Sequence, residues 1–284
     1  MLIKPVLKIL VIATITFSLA SCKKDKADAI DEIETTFEIS ENQTISDNID
    51  QDATDVGEEA AARNGLLGGA NLCGTPILMN WIGNCATITV TGNFPAKNIK
   101  IDFGTGCIGL NGKVRRGVIN ILLTDSLRNP GSIATTTFEN YFVNGYKREG
   151  TIVRTNTTVA GTGTRSYNRT VTNGKITAPD NRVWTHSCNL NITQIAGILT
   201  LCDVRDDTYT IEGTRTVTNA EGRTRTGTTQ TALQKKVSCS NIDQGILKIQ
   251  GPNHYALIDF GNGTCDNQAT ISIDGRPART ITLR

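Results

Sequence analysis

The sequence predicts an all-β protein, an antiparallel meander or sandwich of two related disulfide-stapled β units, preceded by a signal peptide and a flexible linker. Three observations carry that expectation. Short runs alternate apolar and polar residues with period two: Thr87-Ile88-Thr89-Val90, Ile99-Lys100-Ile101, Val118 to Leu123 and Gly245 to Ile249. Five turn signals punctuate them, at Asn111-Gly112, Asn144-Gly145, Asn173-Gly174, Glu221-Gly222 and Asp274-Gly275; such pairs favour the type I′ hairpin, so neighbouring strands should pair. No window beyond residue 64 repeats apolar residues every three to four positions, so no helix is expected there.

An internal repeat divides the body. Cys85 leads through a strand pair to Ile101-Asp102-Phe103-Gly104-Thr105-Gly106-Cys107, and Cys239 leads similarly to Ile258-Asp259-Phe260-Gly261-Asn262-Gly263-Thr264-Cys265. The recurrence suggests units at 65–150 and 190–284, joined by a Thr/Arg-rich β connection at 151–189, either as two domains or as halves of one sandwich. Residues 135–231 include 25 threonines, a residue type suited to a pleated surface wetted on at least one face. Arginines spaced by two, as in Arg223-Thr224-Arg225, then read first as devices that keep the sheet soluble and discourage edge pairing, with a ligand platform as the lesser reading.

The N-terminal region has a different character. Residues 1–21 read as an export signal, with lysines before an apolar run, Ile9 to Phe17, that is too short to span a bilayer comfortably. Leu19-Ala20-Ser21-Cys22 resembles the bacterial lipobox, which implies lipid attachment at Cys22 and delivery as an outer-membrane lipoprotein, on the periplasmic face or at the cell surface. Residues 22–64 hold 4 Lys/Arg against 13 Asp/Glu, whereas 65–284 hold 23 against 14. The acidic stretch, with Phe37 its only aromatic, is expected to be a solvated tether with a transient helix near Ala27 to Phe37; folding back onto the basic body is the competing arrangement.

With the lipobox, the acidic linker and the paired Asp-Phe-Gly-x-Gly-(x)-Cys segments in view, the chain resembles an uncharacterised family of Bacteroidota outer-membrane lipoproteins. The resemblance covers most of residues 75–284 and implies a cellular setting without a mechanism.

Export implies oxidation, so cysteines are read as disulfides before metal ligands. The repeat nominates Cys85–Cys107 and Cys239–Cys265. Cys188–Cys202 is the expected third bridge, leaving Cys73 free; a bridge from Cys73 to Cys188 or Cys202 is the alternative. Neither a cofactor nor a metal is expected, because His186-Ser187-Cys188 with Cys202-Asp203 lacks paired short ligand spacing.

No catalytic residue is assigned. Asp102 and Asp259 are expected to hold turns, and His186 and His254 show no triad partner. Ser126, in Asp125-Ser126-Leu127, matches a Bacteroidota O-glycosylation sequon. The expected function is therefore a lipid-anchored, non-enzymatic structural or binding module for an envelope protein or anionic glycan, with no nucleic-acid partner. The alternative is a secreted glycan-active hydrolase using Asp102, Asp259, or Asp203 with Asp206 or Asp207.

Overall fold

A computed structural model of the chain describes residues 21–68, 78–200 and 202–283. The predicted signal at 1–21 lies outside them except for Ser21, and Cys73 lies outside them entirely. A helix, α1 (Ser21–Arg63), precedes the sheet. The strands are β1 (Thr87–Thr91), β2 (Lys97–Asp102), β3 (Cys107–Ile108), β4 (Val114–Leu123), β5 (Ile133–Val143), β6 (Tyr146–Asn156) and β7 (Ser166–Thr177). They continue as β8 (Val183–Ala196), β9 (Thr208–Asn219), β10 (Thr224–Lys236), β11 (Gln244–Gln250), β12 (Tyr255–Asn262), β13 (Gln268–Ile273) and β14 (Arg279–Thr282).

All 14 strands form one antiparallel meander, in which each strand of the main path pairs with its sequence neighbour and β3 pairs with β4 off that path. The all-β expectation holds. The two repeat units are the flanks of this single sheet, β1–β4 near one edge and β11–β14 at the other, and not separate sheets. In each unit the aspartate accepts a hydrogen bond two residues on, Gly104 N to Asp102 at 2.9 Å and Gly261 N to Asp259 at 2.8 Å. The phenylalanine that follows, Phe103 or Phe260, is buried.

Asn144-Gly145 makes a two-residue turn with both φ angles positive, at 49° and 84°, the geometry a type I′ hairpin demands. Asn173-Gly174 departs from expectation: it lies within β7, where the register to β8 slips between Val171 and Gly174. It is a bulge, and bulges bend a strand. Similar slips recur beside Gly117 and Gly150, at φ 81° and 103°, and together they curl the sheet.

What the sheet curls around is the acidic segment. The expected solvated tether is instead α1, buried without interruption from Asn42 to Asp50. Successive helical residues are about 100° apart, so nine buried in a row means the sheet covers every side of the helix. The dimensions allow this: 13 strands on the main path, at about 4.8 Å each, make an arc of about 60 Å, the circumference of a circle roughly 10 Å in radius.

The apolar part of the interior is modest. Ile39, Ile45, Ile49, Ala53 and Val56 meet Ile99, Ile101, Ile119 and Trp184 of the sheet, while Ile33 joins a second cluster with Leu247, Ile258 and Ile271. Helical hydroxyls are satisfied by their own backbone, Ser40 to Thr36 O at 2.6 Å and Ser46 to Asn42 O at 2.9 Å, which lets a polar helix enter a dry interior. Trp184 Nε1 donates to Ser46 Oγ at 2.9 Å.

Gly109 admits the segment before β1. A Cβ there would lie 2.0 Å from Trp81 O and 2.5 Å from Arg115 Nη1. Gly109→Ala is expected to lower stability by about 1–3 kcal/mol, read as a fall in the urea midpoint with an unchanged slope.

Candidate functional site

The concave face of the sheet is basic, and it meets carboxylates that α1 presents between Asp47 and Glu58. Arg115 (β4) grips Asp52 through Nε at 2.8 Å and Nη2 at 2.6 Å, with Lys113 Nζ at 3.3 Å. Arg148 (β6) and His186 (β8) hold Asp50 at 2.7 and 2.9 Å. Arg215 (β9) holds Asp47 at 2.9 Å, and Arg154 (β6) pairs with Glu58. Burial alone would raise the Asp52 carboxyl, but Lys113 and Arg115 outweigh it and bring it down to about 2. Burial also opposes ionisation of Asp50, and Arg148, His186 and Arg169 reverse that and hold it below the usual range.

This geometry corrects the reading of the Arg/Thr ladder. Along β9, Thr214, Thr216 and Thr218 are partly exposed while Arg215 is 1% exposed, and Arg225 on β10 is 4% exposed. The arginines pack inside, on the acidic helix, and it is the threonines that face water.

At the C-terminal end of α1 the shell leaves a recess lined by Asp55, Glu58, Glu59, Arg165, Asp207 and Tyr209, with Trp81 and Leu127 among its apolar walls. Glu59 fixes one wall by accepting from Trp81 N at 2.6 Å. Asp207, just after the 3-10 turn Val204–Asp206, accepts from Arg165 at 2.8 Å, Gln194 Nε2 at 2.8 Å and the Tyr209 hydroxyl at 3.2 Å. Asp55 accepts from Gln51 Nε2 at 2.8 Å, with Lys235 Nζ 4.0 Å away. Burial dominates both carboxyls and pushes each up to about 6. Two protonatable carboxyls in one concavity are the raw material of acid–base chemistry.

The two groups of carboxyls act on stability in opposite directions. Asp52, with its lowered pKa, contributes stability above the unfolded value near 3.8 that is lost as pH falls toward 2. Asp55 and Asp207, with raised values, cost stability once ionised, and that cost disappears as pH falls from 6 toward 3.8. Stability from these groups is therefore expected to peak near pH 4 and to decline from there to about pH 6. Asp55→Asn is expected to raise stability at pH 7 and to flatten the decline between about pH 4 and 6 in thermal melts across pH; an unchanged profile would contradict this assignment.

The other expected residues lie elsewhere. Asp102 and Asp259 hold their turns, as the sequence indicated. Asp203 caps the 3-10 turn and bonds Arg205 at 2.6 Å, and Asp206 accepts from Thr200 at 2.8 Å. Of the hydrolase candidates, only Asp207 lines the recess. His254 sits on Asp274 at 2.6 Å, so both histidines have carboxylate partners that the sequence did not reveal.

Cys85–Cys107 and Cys239–Cys265 are bonded as nominated. The expected Cys188–Cys202 bridge is not formed: Cys188 is a free thiol on the inner face of β8 and Cys202 is disulfide-bonded with another partner. Cys188 stands opposite Val171 and Arg215 on the neighbouring strands, while Cys202 lies in the loop after β8. Burial raises the Cys188 thiol to about 11. Cys239 and Cys265 lie close to the Asp243 carboxylate, but their disulfide removes the thiolates a metal would need.

Ser126 is partly buried, in a loop whose next two residues, Leu127 and Arg128, donate to Leu66 O and Leu67 O at 3.0 and 2.7 Å. Cys22 falls in the first turn of α1, and its side chain lies outside the described set. Among the described residues, no helix is long and apolar enough to cross a membrane.

The fold and site define an antiparallel meander wrapped around its own acidic helix, with an acid-lined recess at one end. No protein-family model, curated protein or solved structure matches the chain.

Proposed function

We propose that the mature protein is an envelope lipoprotein, acylated at Cys22 and held at the outer membrane, where its disulfide-stapled shell acts as a non-enzymatic binding or structural module for an envelope protein or anionic glycan. The observation that carries this reading is the course of α1. It starts beside the lipobox cysteine and ends at the recess. From Cys22 to Ile33, the first buried residue named in the interior, is about 17 Å of helix, and from Ile33 to Glu59 about 39 Å more. A lipid at one end of this axle places the recess at the opposite end, turned away from the bilayer and toward soluble partners.

Fractionation of cells expressing Cys22→Ser tests the anchor. The variant is expected in the soluble fraction with its shell disulfides intact, and firm retention in the envelope would overturn the reading.

A second reading, a glycan-active hydrolase, is favoured by one observation: Asp55, partly buried, and Asp207, buried, are two carboxyls pushed up to about 6 in one recess. It now rests on this pair, because the other aspartates hold turns, a cap or a surface threonine. Release of reducing sugar from envelope glycans, abolished by Asp207→Asn, would establish it; no turnover across such a panel would sink it.

A further inference from the structure

The interior carries more positive than negative charge. Nine Lys/Arg side chains are buried against six buried carboxylates and the partly buried Asp55 and Glu58, and the imbalance is sharpest beside Asp47, Asp50 and Gln51 of α1. Three guanidinium groups from β6, β7 and β9 converge on that turn of helix, each at most 1% exposed: Arg148, Arg169 and Arg215. Arg148 donates Nε to Asp50 and Nη1 to Glu149 O, and its Nη2 has no protein partner. Arg215 donates Nε to Asp47 and Nη1 to Thr229 Oγ1 at 3.3 Å, and its Nη2 is likewise unpartnered.

Arg169 makes no direct ion pair with a carboxylate, although its charge helps hold Asp50 ionised. It reaches only the neutral Gln51 Oε1 through Nη1 at 2.9 Å, and its Nε is unpartnered. Three cations thus face two carboxylates. A buried N–H without an acceptor is destabilising, and a buried unpaired charge more so.

Among the described residues, none beside these arginines supplies the missing negative charge. Cys188, the inward residue between these arginines on β8, is held neutral by burial. His186 spends Nε2 on Asp50, its Nδ1 has no protein partner, and an imidazole adds no negative charge to balance the excess.

We propose that the sheet binds one small monovalent anion of the halide class against this turn of α1, with Arg148 Nη2, Arg169 Nε and Arg215 Nη2, the donors without a protein partner, as its ligands. One negative charge balances the local count, whereas a dianion would exceed it. With all three guanidinium groups at most 1% exposed, a compact, monatomic ion is favoured over a carboxylate or sulfate.

The test is thermal unfolding of the full mature protein at fixed ionic strength, with chloride or bromide replacing gluconate, a monovalent anion too large for the site. Tm is expected to rise by about 3–6 °C per tenfold increase in halide once the site begins to fill. Crystals grown in bromide should show an anomalous peak among the three guanidinium groups.

Arg169→Met removes one cation without stranding a carboxylate, so it is expected to fold and to lose the halide response. Equal Tm in halide and gluconate with no bromide peak would overturn the proposal, and so would a halide response that survives in Arg169→Met. If that variant fails to fold, the wild-type titration and the bromide map decide.

Discussion

A chain that begins at residue 64 is expected to fail to fold, showing no cooperative urea transition and rapid proteolysis across the whole sheet region. A detachable tether would leave the shell intact, so the experiment separates the two arrangements cleanly. The physical reason is twofold. Without α1, the concave face loses Ile39, Ile45, Ile49, Ala53 and Val56 as apolar partners. It also turns Arg115, Arg148, Arg154 and Arg215 from paired groups into a field of like charges on a low-dielectric surface. Protection of strands β4 to β9 from proteolysis in the truncated chain would refute this account.

Among single substitutions, Asp52→Asn is expected to have one of the largest effects, about 3–5 kcal/mol of lost stability at neutral pH, measured by urea denaturation. Asp52 is buried and satisfies two cations at once, Arg115 by two hydrogen bonds and Lys113 by proximity. The neutral amide leaves both charges in the interior, and one of its two terminal atoms is a donor pointed toward donors. Arg115→Met in the same chain should recover part of the loss, because it removes a charge together with its partner. A cost below about 1 kcal/mol for Asp52→Asn would mean that water reaches the pair and screens it.

The strands were legible because each needs only local information: alternation over five or six residues, and a turn residue that tolerates positive φ. β1, β2, β4 and β11 fall where the alternation put them, and Asn144-Gly145 turns as its chemistry demands. Asn173-Gly174 misled because the same positive φ that makes a turn also makes a bulge, and only the partner strand distinguishes them.

The helix was illegible for a deeper reason. A helix on a flat surface shows an apolar stripe, but one enclosed on every side has no preferred side. Its acids and hydroxyls, read one at a time, look like solvated chain. The clue lay in the opposite net charges of 22–64 and 65–284, and in arginines alternating with threonines along β9 and β10, each a statement about the other half of the molecule. The recess was half visible: Asp207 was among the candidate acids, but Asp55 is recognisable only once the helix carries it there.

That enclosure sets the order of events during maturation. Asp52 waits 63 residues for Arg115, Asp47 waits 168 for Arg215, and Glu34 waits 245 for Arg279 on β14. Contacts so distant in sequence are slow to form because long loops must close first. The helix, made before any strand of the sheet, is thus the last to be satisfied, and it stays open to chaperones and proteases until the final hairpins close over it.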